Sequence, residues 1–199
     1  MSKPSHPIAI SLNFDFEQVN QMLTWKAVDE QTHRSAYHER GPHAGGMFLP
    51  VDESISIIVT GGAHKDCVPH DWDYKVLQCY LITLPHELWL QRTHGRQFSP
   101  PSPFVAAEGQ VGGAVRDIPA SLFEGPFPDN GDKAYVASYY EAKNVLKVIP
   151  KTQPGANDLE GRWEMTFILT VQVIPKDGSA PFLRVFSFDP ETEVGTVTR

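Results

Sequence analysis

Between Arg162 and Ile174 the chain alternates with almost no fault. Trp163, Met165, Phe167, Leu169, Val171 and Val173 fall on one parity, and Arg162, Glu164, Thr166, Thr170 and Gln172 on the other. A period of two over so long a run belongs to an extended strand with one buried face. The run closes at Pro175, passes Lys176-Asp177-Gly178-Ser179, and restarts after Pro181 as Phe182 to Asp189. Asp-Gly suits the positive φ of a tight turn, so the segment reads as a β-hairpin. In the returning strand Phe182, Phe186 and Phe188 share a face with Arg184, and Leu183 and Val185 share the other, with both faces expected to be partly covered.

Other segments repeat the pattern. Ile8, Ile10, Leu12, Phe14 and Phe16 share one parity, with Ala9, Ser11, Asn13 and Asp15 opposite. Val51 to Thr60 is expected to form a strand ended by Gly61-Gly62, with Glu53 on the apolar parity at its outer end. Lys75 to Leu84 is apolar on both parities and reads as a central strand ending at Pro85, and Ala134 to Ile149 as a strand closed by Pro150. Helix is scarce. Phe16, Val19, Leu23 and Ala27 fall at helical spacing behind Asp15, which predicts a short helix from Asp15 to Ala27, and a helical turn is expected over His86 to Arg92. The fold class expected is all-β, a single antiparallel β-sandwich with one or two short helices and with jelly-roll or immunoglobulin-like connectivity left open.

Proline marks the boundaries. The chain holds 17 among 199 residues, above the usual share of about 5%, and Pro7 and Pro50 are expected at strand starts. Residues 1–199 are read as one domain with two excursions: a His-rich insert over about 30–46 and a Pro-rich stretch over about 98–130. In the second, Pro100, Pro101, Pro103, Pro119, Pro126 and Pro128 exclude long regular structure.

A net charge of -7 and the lack of a Lys/Arg cluster argue against nucleic acid as a partner. No apolar run approaches the about 20 residues of a membrane helix, and Met1 to Pro7 has no signal-type apolar core, so the expectation is a cytoplasmic protein with no membrane partner and reduced cysteines.

The residues Gly161-Arg162-Trp163-Glu164-Met165-Thr166-Phe167-Ile168-Leu169-Thr170-Val171, then Arg184-Val185-Phe186-Ser187-Phe188-Asp189-Pro190-Glu191 and Val194-Gly195, resemble the ending of the bacterial PixA/AidA-type inclusion-body proteins. Asp15 after the first strand, the Val59-Thr60-Gly61-Gly62 run and Asp73-Tyr74 at a strand start follow the same order. The resemblance covers the strands, about half of the chain. It implies a cytoplasmic bacterial β-sandwich that accumulates to high level without established enzymatic activity, and it offers no catalytic residue.

Three groups of side chains could carry chemistry. His64, Cys67 and His70 offer three zinc ligands, with Asp71 or a distant histidine as the fourth, and would make a metal-dependent enzyme; their spacing fits no standard module, and the favoured reading is a polar loop with solvated histidines and Cys67 packed inward. Cys67 beside either histidine could also be a nucleophile, whereas Cys79, within a strand, reads as a small buried hydrophobe. Asp71, Trp72, Asp73 and Tyr74 could form the edge of a carbohydrate-binding module, or Trp72 and Tyr74 could simply begin a buried strand face. His33, Arg34, His38, Glu39, Arg40 and His43 read as a pH-sensitive loop, because histidines five apart share no helix face. The reading that unites these observations is a non-enzymatic protein acting by self-association, as a homodimer or higher, or by ligand binding.

Overall fold

The computed structural model describes residues 6–37, 46–64, 72–85, 102–105, 114–129, 135–149 and 161–195. Eleven strands run through them: β1 (Ile8–Asp15), β2 (Thr24–Asp29), β3 (Met47–Pro50), β4 (Ser54–His64), β5 (Trp72–Pro85), β6 (Val115–Pro119), β7 (Glu124–Asp129), β8 (Tyr135–Lys147), β9 (Gly161–Pro175), β10 (Phe182–Phe188) and β11 (Glu191–Gly195). A five-stranded sheet has the order β2-β1-β4-β8-β7. A six-stranded sheet has the order β3-β11-β9-β5-β6, with β10 also on β9. The architecture is an all-β sandwich, and its pairings are antiparallel except for β1 with β4 and β3 with β11. Both parallel pairs join strands far apart in sequence, as a parallel pairing requires a long crossover.

The hairpin predicted from the alternating run organises the six-stranded sheet. Phe182 pairs with Val173 and Phe188 with Phe167, while β11 continues along the first part of β9, Glu191 opposite Glu164. One long strand thus carries two shorter ones end to end on one side and β5 on the other. Trp163, Met165, Phe167, Leu169, Val171 and Val173 are all buried, and they meet Ile8, Ile10, Leu12, Phe14, Ile55, Ile57 and Val59 of the opposite sheet in one apolar core. Rings stitch the layers: Phe14 stacks on Phe186 at 4.8 Å and meets Tyr74 edge-on at 5.1 Å.

The structure corrects several expectations. Residues 15–27 form no helix. Phe16, Leu23 and Ala27 are buried, but Val19, which a helix would place beside them, is 98% exposed. Asp15 Oδ1 accepts the Glu17 amide at 2.7 Å and Gln18 Nε2 donates to the carbonyls of Asn20 and Met22, so side chains close a polar loop that leads into β2. The only helical element among the described residues is a 3-10 turn, Ala120–Leu122; His86 to Arg92 lies outside them.

Gly61-Gly62 does not end its strand. β4 runs on to His64, and the glycines admit neighbouring rings: a Cβ on Gly61 would stand 2.6 Å from Phe14 Cζ and 2.8 Å from Tyr74 Cε1. Val51 lies in the turn before β4, and Pro50 closes β3 rather than opening a strand.

In β5 a bulge between Val76 and Gln78 switches the inward parity, so Tyr74 and Val76 face the core first and then Cys79, Leu81 and Thr83. That switch explains why both parities are apolar. The outward face of β10 is uncovered, with Leu183 61% and Val185 47% exposed.

The described part of the Pro-rich stretch is architectural. β6 edges one sheet and β7 the other, and the 3-10 turn carries the chain between them. Pro126 and Pro128 lie in β7, an edge strand, where a missing N–H is tolerated. Inside, Arg116 donates to the carbonyls of Phe104 at 2.8 Å and Val105 at 2.6 Å, which holds that segment against β6.

Candidate functional site

The outer face of the five-stranded sheet carries a cleft of about 450 Å³, lined by Asn13, Phe14, Asp15, Gln18, Thr24, Thr60, Gly62, Asp129 and Ala137. Strand register explains it. One row across the sheet reads Asp15, Gly62, Ala137, Asp129, from β1 through β4 and β8 to β7. The next reads Thr24, Asn13, Thr60, Tyr139, Phe127. Residues paired across strands share a face, so a glycine and an alanine sit between two carboxylates and leave a depression. A Cβ on Gly62 would lie 3.0 Å from that of Ala137, so the floor is as low as side chains allow. Tyr139 and Phe127 lie beside it with ring centroids 5.4 Å apart.

The rim is held by local hydrogen bonds. Asp15 donates its amide to Gln18 Oε1 at 2.9 Å, and Thr24 Oγ1 donates to the Asn13 carbonyl at 3.4 Å. Among the described residues no cationic side chain lines the cleft. Asn13 and Asp15 were legible as the polar parity of the first strand, but Thr60, Gly62, Ala137 and Asp129 join them only through pairing between strands distant in sequence.

The residues singled out by sequence fall elsewhere. His64 ends β4 with its backbone opposite Tyr135, while Cys67, His70 and Asp71 lie outside the described residues. Among the described residues no group of three His, Cys, Asp or Glu is placed to hold a metal. Trp72 stacks on Phe16 at 6.0 Å and meets Phe182 edge-on at 5.8 Å, and Tyr74 is buried, so both rings begin a packed face. Asp73 pairs with Lys176 at 3.4 Å. Tyr74 lies between the sheets: its hydroxyl accepts the Gly61 amide and reaches the carbonyls of Val59 at 2.7 Å and Ser138 at 3.0 Å. His33 and Arg34 belong to an exposed turn pinned by Asp29, whose Oδ1 accepts the amides of Gln31 and Thr32; His38, Glu39, Arg40 and His43 lie outside the described residues.

Burial perturbs several titratable groups, raising Tyr74 and Tyr140, lowering Arg116, and acting on one thiol and one carboxyl of interest. Burial pushes the Cys79 thiol up to about 12, with the charge of Asp117 adding to the effect, so this cysteine is inert as a nucleophile. Burial likewise raises the Glu53 carboxyl to about 7, against the hydrogen bond it accepts from the His6 amide at 3.1 Å and with help from the charges of Asp29 and Asp52.

The outer face of the six-stranded sheet is chemically different. Tyr80 and Ile168 pair at its middle, Ile82 pairs with Val115, and Leu183 and Val185 lie along β10 on the same side. Val115 is 56% exposed and Leu84 50%. No helix among the described residues is long and apolar enough to cross a membrane. No family model matches the chain, and no curated protein matches it significantly in sequence.

Proposed function

We propose that the protein acts by binding rather than catalysis, as a cytoplasmic β-sandwich of the inclusion-body type that associates with copies of itself. The observation that carries this reading is the contrast between the two outer faces. The five-stranded sheet turns Asn13, Thr60, Lys26 and Glu141 outward beside the aromatic pair Tyr139 and Phe127, whereas the six-stranded sheet turns out Tyr80, Ile82, Ile168, Val115, Leu183 and Val185 across four adjacent strands, with Asp117, Thr166, Thr170, Gln172 and Ser187 set between them. Large apolar side chains exposed on adjacent strands with polar ones between them are the composition an interface between copies buries. A symmetric pair of copies would cover both patches at once. Three strand spacings make the patch about 14 Å wide between backbones, at the small end of specific interfaces, so association is expected at micromolar concentration.

Size-exclusion chromatography with light scattering from one to several hundred micromolar tests this. The native chain is expected to shift from monomer to dimer or larger, and Val185→Glu, at an exposed position, to remain monomeric. A native chain monomeric throughout, or a Val185→Glu chain that associates as the native does, overturns the reading.

A further inference from the structure

We propose that Glu53 and His6 share one proton and form a pH-operated latch, closed below neutral pH and released above it, which fastens the chain entering β1 to the turn before β4. The latch goes beyond the association reading and does not depend on it.

Its geometry rests on two buried groups. Glu53 is 7% exposed, and its Oε1 accepts the His6 amide at 3.1 Å. The Nδ1 atom of the same histidine is buried without a hydrogen-bond partner. Only Cα and Cβ separate the amide from the ring, so a carboxyl that holds the one lies close to the other. A carboxylic acid donates where a bare Nδ1 accepts, and an imidazolium Nδ1–H donates to a carboxylate, so either position of the proton joins the pair. Without the proton two acceptors face each other inside the fold, and a buried polar group goes unmet.

The surroundings make the proton matter. Asp29 ends β2 opposite Ile8, Asp52 stands next to Glu53 in the turn, and Lys147 at the end of β8 pairs with Asp52 at 3.2 Å. Glu30 and Arg34 lie in the turn after β2, where Asp29 Oδ1 is already engaged by the amides of Gln31 and Thr32. Burial raises the Glu53 carboxyl to about 7, with Asp29 and Asp52 adding to the effect and the His6 amide opposing it. A folded pKa above the ordinary 4.5 means that the stability this group gives is complete below about pH 4.5 and is lost as pH rises through 7. The side that yields is set by the backbone. The Val148 amide donates to the Glu53 carbonyl at 2.8 Å and fixes the turn, and from Ile8 onward β1 is held by β2 and β4. At His6 the tie is the Glu53 carboxyl.

NMR of the full native chain from pH 5 to 9, with labelled histidine rings and glutamate carboxyls, tests the latch. One step near pH 7 is expected in both the Glu53 carboxyl and the His6 ring, with Nδ1 hydrogen-bonded below the step and bare above it. Across that step the His6 amide should gain about tenfold in exchange rate beyond the intrinsic base-catalysed rise, the scale of one lost hydrogen bond. Glu53→Gln, which offers the same acceptor and a permanent donor, should keep that amide protected throughout. His6→Phe, which keeps the backbone amide and removes Nδ1, should move the Glu53 midpoint by about one pH unit. Separate midpoints for the two groups, a Glu53 midpoint near 4.5, amide exchange that follows the intrinsic rate alone, or a Glu53 midpoint indifferent to the loss of Nδ1 would each overturn the proposal. The first three are read on the native chain and decide against it even if a variant fails to fold.

Discussion

Gly61 shows how a single residue's meaning depends on what lies across the core. In sequence, a Gly-Gly pair after four alternating apolar residues reads as a strand end. In the molecule, the absent side chain lets Phe14 and Tyr74 close over β4, and the Gly61 amide donates to the Tyr74 hydroxyl at 3.2 Å. Gly61→Ala is therefore expected to destabilise the fold by about 1–3 kcal/mol, the usual penalty of overpacking, because packed rings cannot move aside as a flexible side chain can. Urea denaturation measures it, and a change under about 0.5 kcal/mol would refute the packing account.

Glu53 makes a prediction of opposite character. Its folded pKa of about 7 lies above the ordinary 4.5, so between those values the folded state holds a proton that the unfolded state releases. Stability contributed by this group is thus present below about pH 4.5 and declines as pH rises through 7. Glu53→Gln keeps an acceptor for the His6 amide and removes the buried charge. The variant should match the native chain near pH 4.5 and exceed it by about 1–3 kcal/mol at pH 8, read from denaturation curves at both values. Equal stability at pH 8 would show that water reaches the carboxylate.

At the level of elements, β9 and β10 are the part most legible in advance. The alternation from Arg162 onward named every core residue of the long strand, and the Asp-Gly pair named the turn. Gly178 has a φ of 88°, a Cβ placed on it would meet nothing within 4 Å, and Asp177 Oδ1 accepts the Ser179 amide at 2.8 Å. Gly178→Ala meets no clash, only the backbone penalty of that conformation, so it should lower stability by about 1 kcal/mol and leave the fold intact. A melting temperature unchanged within error would show that the turn relaxes freely.

The stretch from Asp15 to Ala27 departs from its predicted helix for an instructive reason. Four apolar residues at helical spacing are too few to distinguish a helix from a loop that anchors itself at several points. Phe16 and Leu23 do bury, but Arg184 from β10 donates to the carbonyls of Phe16 at 3.4 Å and Gln18 at 2.6 Å and supplies the loop with partners no local pattern could announce. The bulge in β5 between Val76 and Gln78, which leaves Leu77 facing outward, was opaque in the same way, since a bulge depends on the register with β9 rather than on residues of β5 itself.

For the molecule as a whole, charge and surface act together. A net charge of -7 keeps copies apart near neutral pH, and the chain's eight histidines would offset it as the pH falls toward the pI near 5.6. Histidine is the residue type whose charge changes in that range, at about pH 6.5 in water. Association through the apolar face is therefore expected to strengthen between pH 7.5 and 5.6 at low salt. Light scattering at fixed protein concentration measures this, and a mass independent of pH would separate association from the histidines.

The long alternating strands β1 and β9 and their buried parities can be written down from the residues alone, because alternation is a local property, whereas the shorter β2, β3, β6, β7 and β11 carry too few alternating residues to announce themselves. Only in the folded chain does β1 come to lie parallel to β4, β9 carry two strands on one edge, and Asp15 and Asp129, 114 positions apart, end the same row of the cleft. Such neighbours are set by pairing energies summed over both sheets and by which faces can be buried together. No single segment contains that information.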